Sequence, residues 1–211
     1  MPWFYHVSRV IVKMLLLLLT RWQVRGEENI PSQGPLLVVA NHLSLADPPL
    51  LNIIFDRQVR YMAKKQLFKF RILGSFIRGL GAFPVHRGRP DRKAFRQAEQ
   101  VLAQGLALVI FPEGTRSRSG QLRHAFPGPA LIALRSGAPI LPVGIAGTDK
   151  LERGLAGLLS RPKVTVNIGR PFHLPPAASE LTKRELIDYM MEHIAELLPP
   201  EYRGIYARQG N

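Results

Sequence analysis

The stretch PLLVVANHLSLADPPLL, from Pro35 to Leu51, holds a complete change of structure. Its first part, Leu36 to Ala40, is apolar at every position. A half-exposed strand would alternate, so an unbroken run reads as a strand covered on both faces, as in a parallel sheet. The run stops at Asn41-His42, and a turn of small residues follows. Asp47 before Pro48 then has the form of an N-cap and a first helical residue, opening an apolar helical segment. Strand, polar turn and helix make one unit of an α/β fold.

Outward from this unit the pattern recurs. Strand-like runs stand at VRYMA, GAFPVH, ALVIF, APILPVGIAG and KVTVNI, and helical patterns cover 48–55, 66–78, 91–104, 128–136 and 183–198. The last opens on Thr182 to Glu185, TKRE, which has capping-box form. The alternation predicts an α/β fold. A single domain, residues 31–211, would carry a largely parallel central sheet flanked by helices, and an N-terminal amphipathic membrane-interface helical segment, residues 1–30, would precede it. In such a sheet the carboxyl ends of the strands share one edge, where ligands bind. The residues after the runs are Asn41-His42, Lys64-Lys65, Arg87 and Pro112-Glu113-Gly114-Thr115-Arg116. A histidine, a glutamate and several cations would therefore converge, which suits an anion bound beside acid–base chemistry.

His42 and Asp47 are five residues apart, a rotation of about 140° on a helix, so only the turn LSLA can bring them together. Asp47 would cap the helix with one oxygen and accept the imidazole N–H with the other, fixing the tautomer. A plain cap is the simpler alternative. His86 and Asp91 repeat the spacing inside an Arg/Gly/Pro loop, so spacing alone is weak evidence. No cysteine and no G-x-S-x-G elbow supply a nucleophile; Ser44 is the nearest hydroxyl. A histidine activating a substrate hydroxyl, or a water, needs no protein nucleophile. In FPEGTRSRSG, Arg116 and Arg118 suit bidentate phosphate recognition. Glu113, among cations, is expected to be ionised and to orient an arginine or accept a substrate hydroxyl, unless it forms only a surface bridge.

Composition narrows the partners. The 29 Lys and Arg against 15 Asp and Glu leave a net charge of +14, which favours polyanions. Between Arg57 and Arg96 twelve basic residues face one acid, Asp91. No aromatic interleaving or reading module points to nucleic acid, so an anionic phospholipid membrane surface or a phosphorylated substrate is the better partner. The apolar core of the N-terminus, Met14 to Leu19, is far shorter than the roughly 20 residues of a bilayer crossing. His6, Arg9, Lys13 and Thr20 share a narrow helical sector opposite Trp3, Phe4, Val7, Ile11, Met14, Leu15 and Leu18. That describes an interfacial helix with cations toward headgroups and Trp3 and Trp22 at the boundary. A signal peptide would need a small-residue cleavage site, and TRWQVRGEEN follows instead. The histidines lack metal-ligand spacing, so no metal is expected.

NHLSLAD, GAFPVHR, FPEGTRSRSG and APILPVGIAG, in that order, resemble the four blocks of the glycerolipid acyltransferase family, closest to the 1-acylglycerol-3-phosphate acyltransferases. The resemblance covers nearly the whole chain, including the tail IAELLPPEYRGIYA. It implies His42 as general base with Asp47 as its partner. It also implies a glycerol phosphate held by Arg87, Glu113, Gly114, Thr115 and Arg116, with Lys64 added. A lysophospholipid hydroxyl would attack the acyl thioester of coenzyme A or acyl carrier protein, with no cofactor, at the cytoplasmic face of the cell membrane. Pro127 stands where the family often has a lysine. Glycerol 3-phosphate or another lysophospholipid as acceptor, hydrolysis, and an idle membrane adaptor remain open alternatives.

Overall fold

Leu36 to Ala40 form a central strand in which every residue is buried. In the computed structural model, which describes residues 3–86 and 91–207, this strand is β2, after helix α1 (Trp3–Leu19) and strand β1 (Arg21–Arg25). There follow α2 (Asp47–Ile54), β3 (Val59–Lys64), α3 (Arg71–Gly79), β4 (Ala82–Val85), α4 (Arg92–Ala103), β5 (Ala107–Ile110) and α5 (Gly128–Ser136). The chain continues through β6 (Ile140–Ala146), α6 (Gly154–Leu159), β7 (Lys163–Ile168) and α7 (Lys183–Glu196). One sheet of seven strands has the order β1-β7-β6-β2-β5-β3-β4.

Five neighbouring strands, β6, β2, β5, β3 and β4, are mutually parallel, so their carboxyl ends lie on one edge. β7 runs antiparallel to β6, and β1 runs parallel to β7. The sheet is covered on both sides, which explains the unbroken apolar runs. Leu37 and Val39 belong to a core with α4, α5 and α7, whereas Leu36, Val38 and Ala40 face the other way onto α2 and Leu16 of α1. The capping box at Thr182 and Glu185 forms as its sequence requires.

Four expectations are corrected. The N-terminal helix ends at Leu19, and residues 21–25, expected within a helical segment reaching residue 30, are a sheet strand. Arg21, Gln23 and Arg25 alternate with the more buried Trp22 and Val24, a period-two pattern paired residue by residue with β7. Trp22 therefore packs on the core instead of marking a membrane boundary. Arg9 is likewise no headgroup cation: its guanidinium donates to the carbonyls of Ile53 (3.2 Å) and Phe55 (2.9 Å) at the end of α2. The pattern over 66–78 divides at Phe70, whose extended backbone separates a 3-10 turn, Lys65–Lys69, from α3. α6 escaped the sequence reading because two of its six residues are glycine.

Candidate active site

The site is built where β2 and β5 end side by side. Asn41 closes β2 by giving its side-chain amide to the Ile145 carbonyl (2.8 Å) and accepting from the Ile145 N–H (2.7 Å), so the ladder to β6 ends in a side chain. The chain then turns, and Asp47 reaches back under it. One carboxylate oxygen, Oδ2, accepts from His42 Nδ1 (2.8 Å), Leu43 N (2.7 Å) and Ser44 N (2.8 Å). The expected division between a cap and the imidazole is thus not what forms. Asp47 is the first residue of α2, it makes no N-cap bond, and its Oδ1 is buried without a partner among the described residues. Its position still places the charge at the positive end of the helix dipole.

The His42 ring is fixed on two sides. Asp47 takes Nδ1–H, and Phe111, the last residue before Pro112, stacks on the ring at 4.2 Å. Nε2 makes no hydrogen bond among the described residues, and it points away from the carboxylate. The turn that carries the ring is stitched to the turn after β5 by two bonds from the backbone of His42. His42 N donates to Glu113 Oε1 (3.1 Å) and Ser117 N donates to the His42 carbonyl (2.7 Å).

Glu113 differs from the expectation. It is buried and forms no ion pair with an arginine among the described residues; its second oxygen accepts from Arg123 N (3.2 Å). Burial pushes its carboxyl up to about 7, against the lowering effect of the two backbone N–H donors. Gly114 follows at φ +66, a left-handed backbone, with the Phe126 ring 2.8 Å from where a Cβ would lie. Thr115 is exposed and Arg116 half-buried. Arg116 forms its ion pair with Glu152, a residue outside the sequence reading, through Nη1 and Oε2. Glu152 also accepts from Ser44 Oγ (2.8 Å) and Leu45 N (3.0 Å). Ser44 Oγ in turn accepts from Ala46 N (3.1 Å), so its hydroxyl serves the turn and not the imidazole. The only sequence signal for Glu152 is its place in GTDKLE, shortly after the β6 run, where a strand-end carboxylate was as accessible to reading as Glu113.

Lys64 is exposed at the end of β3, two strands from β2, roughly 10 Å across the sheet. Beside it Lys65 Nζ donates to His86 Nε2 (3.2 Å). Arg87, together with the side chains of Trp3, Phe4 and His6, lies outside the described residues. Asp91 spends its carboxylate on the His86 N–H (2.8 Å) and on capping α4 at Ala94 N (3.1 Å). The repeated spacing thus yields a cap there. Among the described residues no group of three or more His, Asp or Glu is placed to hold a metal.

An oriented imidazole whose second nitrogen makes no hydrogen bond, with cations at adjacent strand ends and no protein nucleophile beside it among the described residues, suits transfer to an external hydroxyl. The family model for acyltransferases matches residues 21–146. The chain belongs to the acyltransferase family. This acyltransferase is 30% identical over 184 residues to the 1-acyl-sn-glycerol-3-phosphate acyltransferase of Bacillus subtilis, covering 86% of this chain and 89% of that one. It is 32% identical over 211 residues to the enzyme of the same name from Streptococcus pneumoniae, covering 96% and 73%. The solved structure of the 1-acyl-sn-glycerophosphate (LPA) acyltransferase PlsC from Thermotoga maritima matches the acyltransferase with a TM-score of 0.71 at 29% identity, covering 91% of this chain and 77% of that one.

Proposed function

We propose that this acyltransferase moves a fatty acyl group from an acyl thioester, of coenzyme A or acyl carrier protein, to the free hydroxyl of 1-acylglycerol 3-phosphate, giving phosphatidate. The observation that carries the reading is the buried His42 ring, held by Asp47 at 2.8 Å and by the Phe111 face, with Nε2 left without a hydrogen bond among the described residues. Nε2 takes the hydroxyl proton as the oxygen attacks the thioester carbonyl. The tetrahedral intermediate then collapses, the C–S bond breaks, and the thiolate leaves with the proton from Nε2. Asp47 keeps the imidazole in the tautomer this requires and faces the imidazolium that forms. Arg116, Arg118, Lys64 and Arg87 supply cations for the acceptor's phosphate, with Thr115 and the Gly114 backbone beside them. Glu113 acts from behind, holding the His42 backbone.

The same reading sets this edge of the protein against an anionic membrane at the cytoplasmic face of the cell. Val10, Ile11, Met14, Leu15 and Leu18 form an exposed apolar face on α1. No helix among the described residues is long and apolar enough to cross a membrane. Because β1 starts directly after α1 and pairs with the start of β7, the α1 carboxyl end lies at the edge that carries His42. There the Arg161 guanidinium donates to the Leu17 carbonyl (3.0 Å), tying α1 to the end of α6. Leu155 and Leu159 of α6 are 71% and 73% exposed, and Leu45, at the tip of the catalytic turn, 63%. These leucines continue the apolar face of α1 toward His42. Exposed Lys150 and Lys163, close in sequence to α6, complement anionic headgroups.

The test is purified protein incubated with lysophosphatidate and palmitoyl-CoA, with lipids identified by mass spectrometry. Phosphatidate is the expected product, and His42→Ala is expected to lower its rate by about 10²–10⁴-fold. Free palmitate without phosphatidate, or full activity in the variant, would overturn the reading.

A further inference from the structure

Glu152 lies at the end of a constrained turn. After β6 the chain turns at Gly147, φ +90, where a Cβ would meet the Lys163 carbonyl at 2.1 Å. Gly147 N donates to Tyr202 Oη (3.2 Å), and Tyr202 Oη donates to Asp149 Oδ1 (3.0 Å), which fixes the 3-10 turn Thr148–Glu152. The Glu152 carboxylate then divides its two oxygens. Oε1 accepts from Ser44 Oγ (2.8 Å) and Leu45 N (3.0 Å), and Oε2 pairs with Arg116 Nη1. Burial opposes its charge, but the Leu45 amide, the Ser44 hydroxyl and the Arg116 guanidinium together keep its carboxyl below the ordinary range.

Both partners of the ion pair are more than one-third exposed. Such a pair contributes little to folding. Its geometry is more specific than its energy: one carboxylate joins the tip of the turn carrying His42 to an arginine of the neighbouring loop. A guanidinium has five N–H donors in a planar fork. Glu152 engages Nη1, while Nε and Nη2 make no hydrogen bond among the described residues. That remaining edge matches two oxygens of a phosphate.

We infer that Glu152 is a positioning residue for the acceptor: it holds Arg116 in register with the His42 turn and presents the open edge of the guanidinium to the acceptor's phosphate. The inference rests on the phosphate-bearing acceptor proposed above. Glu152→Gln keeps the size and an oxygen for Ser44 and Leu45, but sets an N–H₂ group against Arg116. The expected result is a rise of about five- to tenfold in KM for lysophosphatidate, the scale of one ordinary hydrogen bond. kcat at saturating acceptor should stay within about twofold, with KM for palmitoyl-CoA and Tm near wild type. In an Arg116→Ala background the same substitution should no longer change kcat/KM. An unchanged or lowered KM, or an equal loss in both backgrounds, overturns the inference; a lowered KM would mean that Glu152 competes with the phosphate. If the wild-type protein makes no phosphatidate, the functional reading itself fails, whereas an active wild type with an indifferent Glu152→Gln removes only this inference.

Discussion

At the residue scale, two buried carboxylates support one imidazole by different means. Asp47 concentrates three donors on a single oxygen, an arrangement that fixes the ring and the first half of the turn together. Glu113 grips the backbone of His42 from the neighbouring strand end and faces desolvation, which raises its carboxyl from 4.5 to about 7. A raised acid binds its proton in the folded state while the unfolded chain has released it. Its contribution to stability is therefore fully present below about 4.5 and is lost as pH rises through about 7. The loss amounts to roughly 3 kcal/mol across that window. Denaturant titrations at intervals from pH 4.5 to 7.5 should show this downward component in wild type and not in Glu113→Gln. An identical slope in both proteins would assign the effect to other groups.

At the scale of elements, the edge opposite the site carries a device of its own. Arg57, just before β3, donates to the carbonyls of Pro31 (2.9 Å), Gly34 and Gly105 (2.9 Å). Those carbonyls precede the starts of β2 and β5, so one guanidinium aligns the amino ends of the two strands whose other ends build the site. Although it belongs to the basic stretch that favours anions, Arg57 is committed to backbone. Arg57→Ala leaves three carbonyls to find other donors and is expected to lower unfolding stability by about 2–3 kcal/mol. kcat at a temperature where the variant is fully folded should be close to wild type. A stable variant with impaired kcat would move Arg57 from the scaffold to the chemistry.

At the scale of the whole molecule, topology decides what shares a surface with the catalytic edge. β7 and β1 run against the five-strand block, which brings the α1 carboxyl end to the edge where β6 delivers Glu152 and α6. Exposed leucines of α1 and α6 therefore come to the edge that carries Leu45 and His42. Leu155→Glu combined with Leu159→Glu replaces two exposed side chains and removes no core contact. This variant should float less with vesicles containing phosphatidylglycerol and should turn over long-chain lysophosphatidate in vesicles more slowly. Its activity on a short-chain, water-soluble acceptor should hold. Unchanged flotation would exclude α6 from the proposed membrane-docking surface.

Much of this was legible in the chain itself. Unbroken apolar runs announce a sheet covered on both faces, because burial on two sides leaves no position for a polar residue. The strand ends bring His42 and Glu113 to one edge, since five parallel strands must end together. Local chemistry also sufficed for Thr182, whose cap involves a neighbour three residues on. Contacts between distant segments were not legible. His42 and Asp91-like spacing cannot distinguish an oriented base from a cap, because the difference lies in which donors the fold places around the carboxylate. Glu152 reaches Ser44 across 108 residues, and Trp22 is sheltered by pairing with β7, so a strand-end position and a period-two alternation do not by themselves name the partners. The sequence determined the layers and the edge on which the chemistry sits. Tertiary structure alone decided which charges meet there, because hydrogen bonds and burial depend on distances in space that periodicity does not encode.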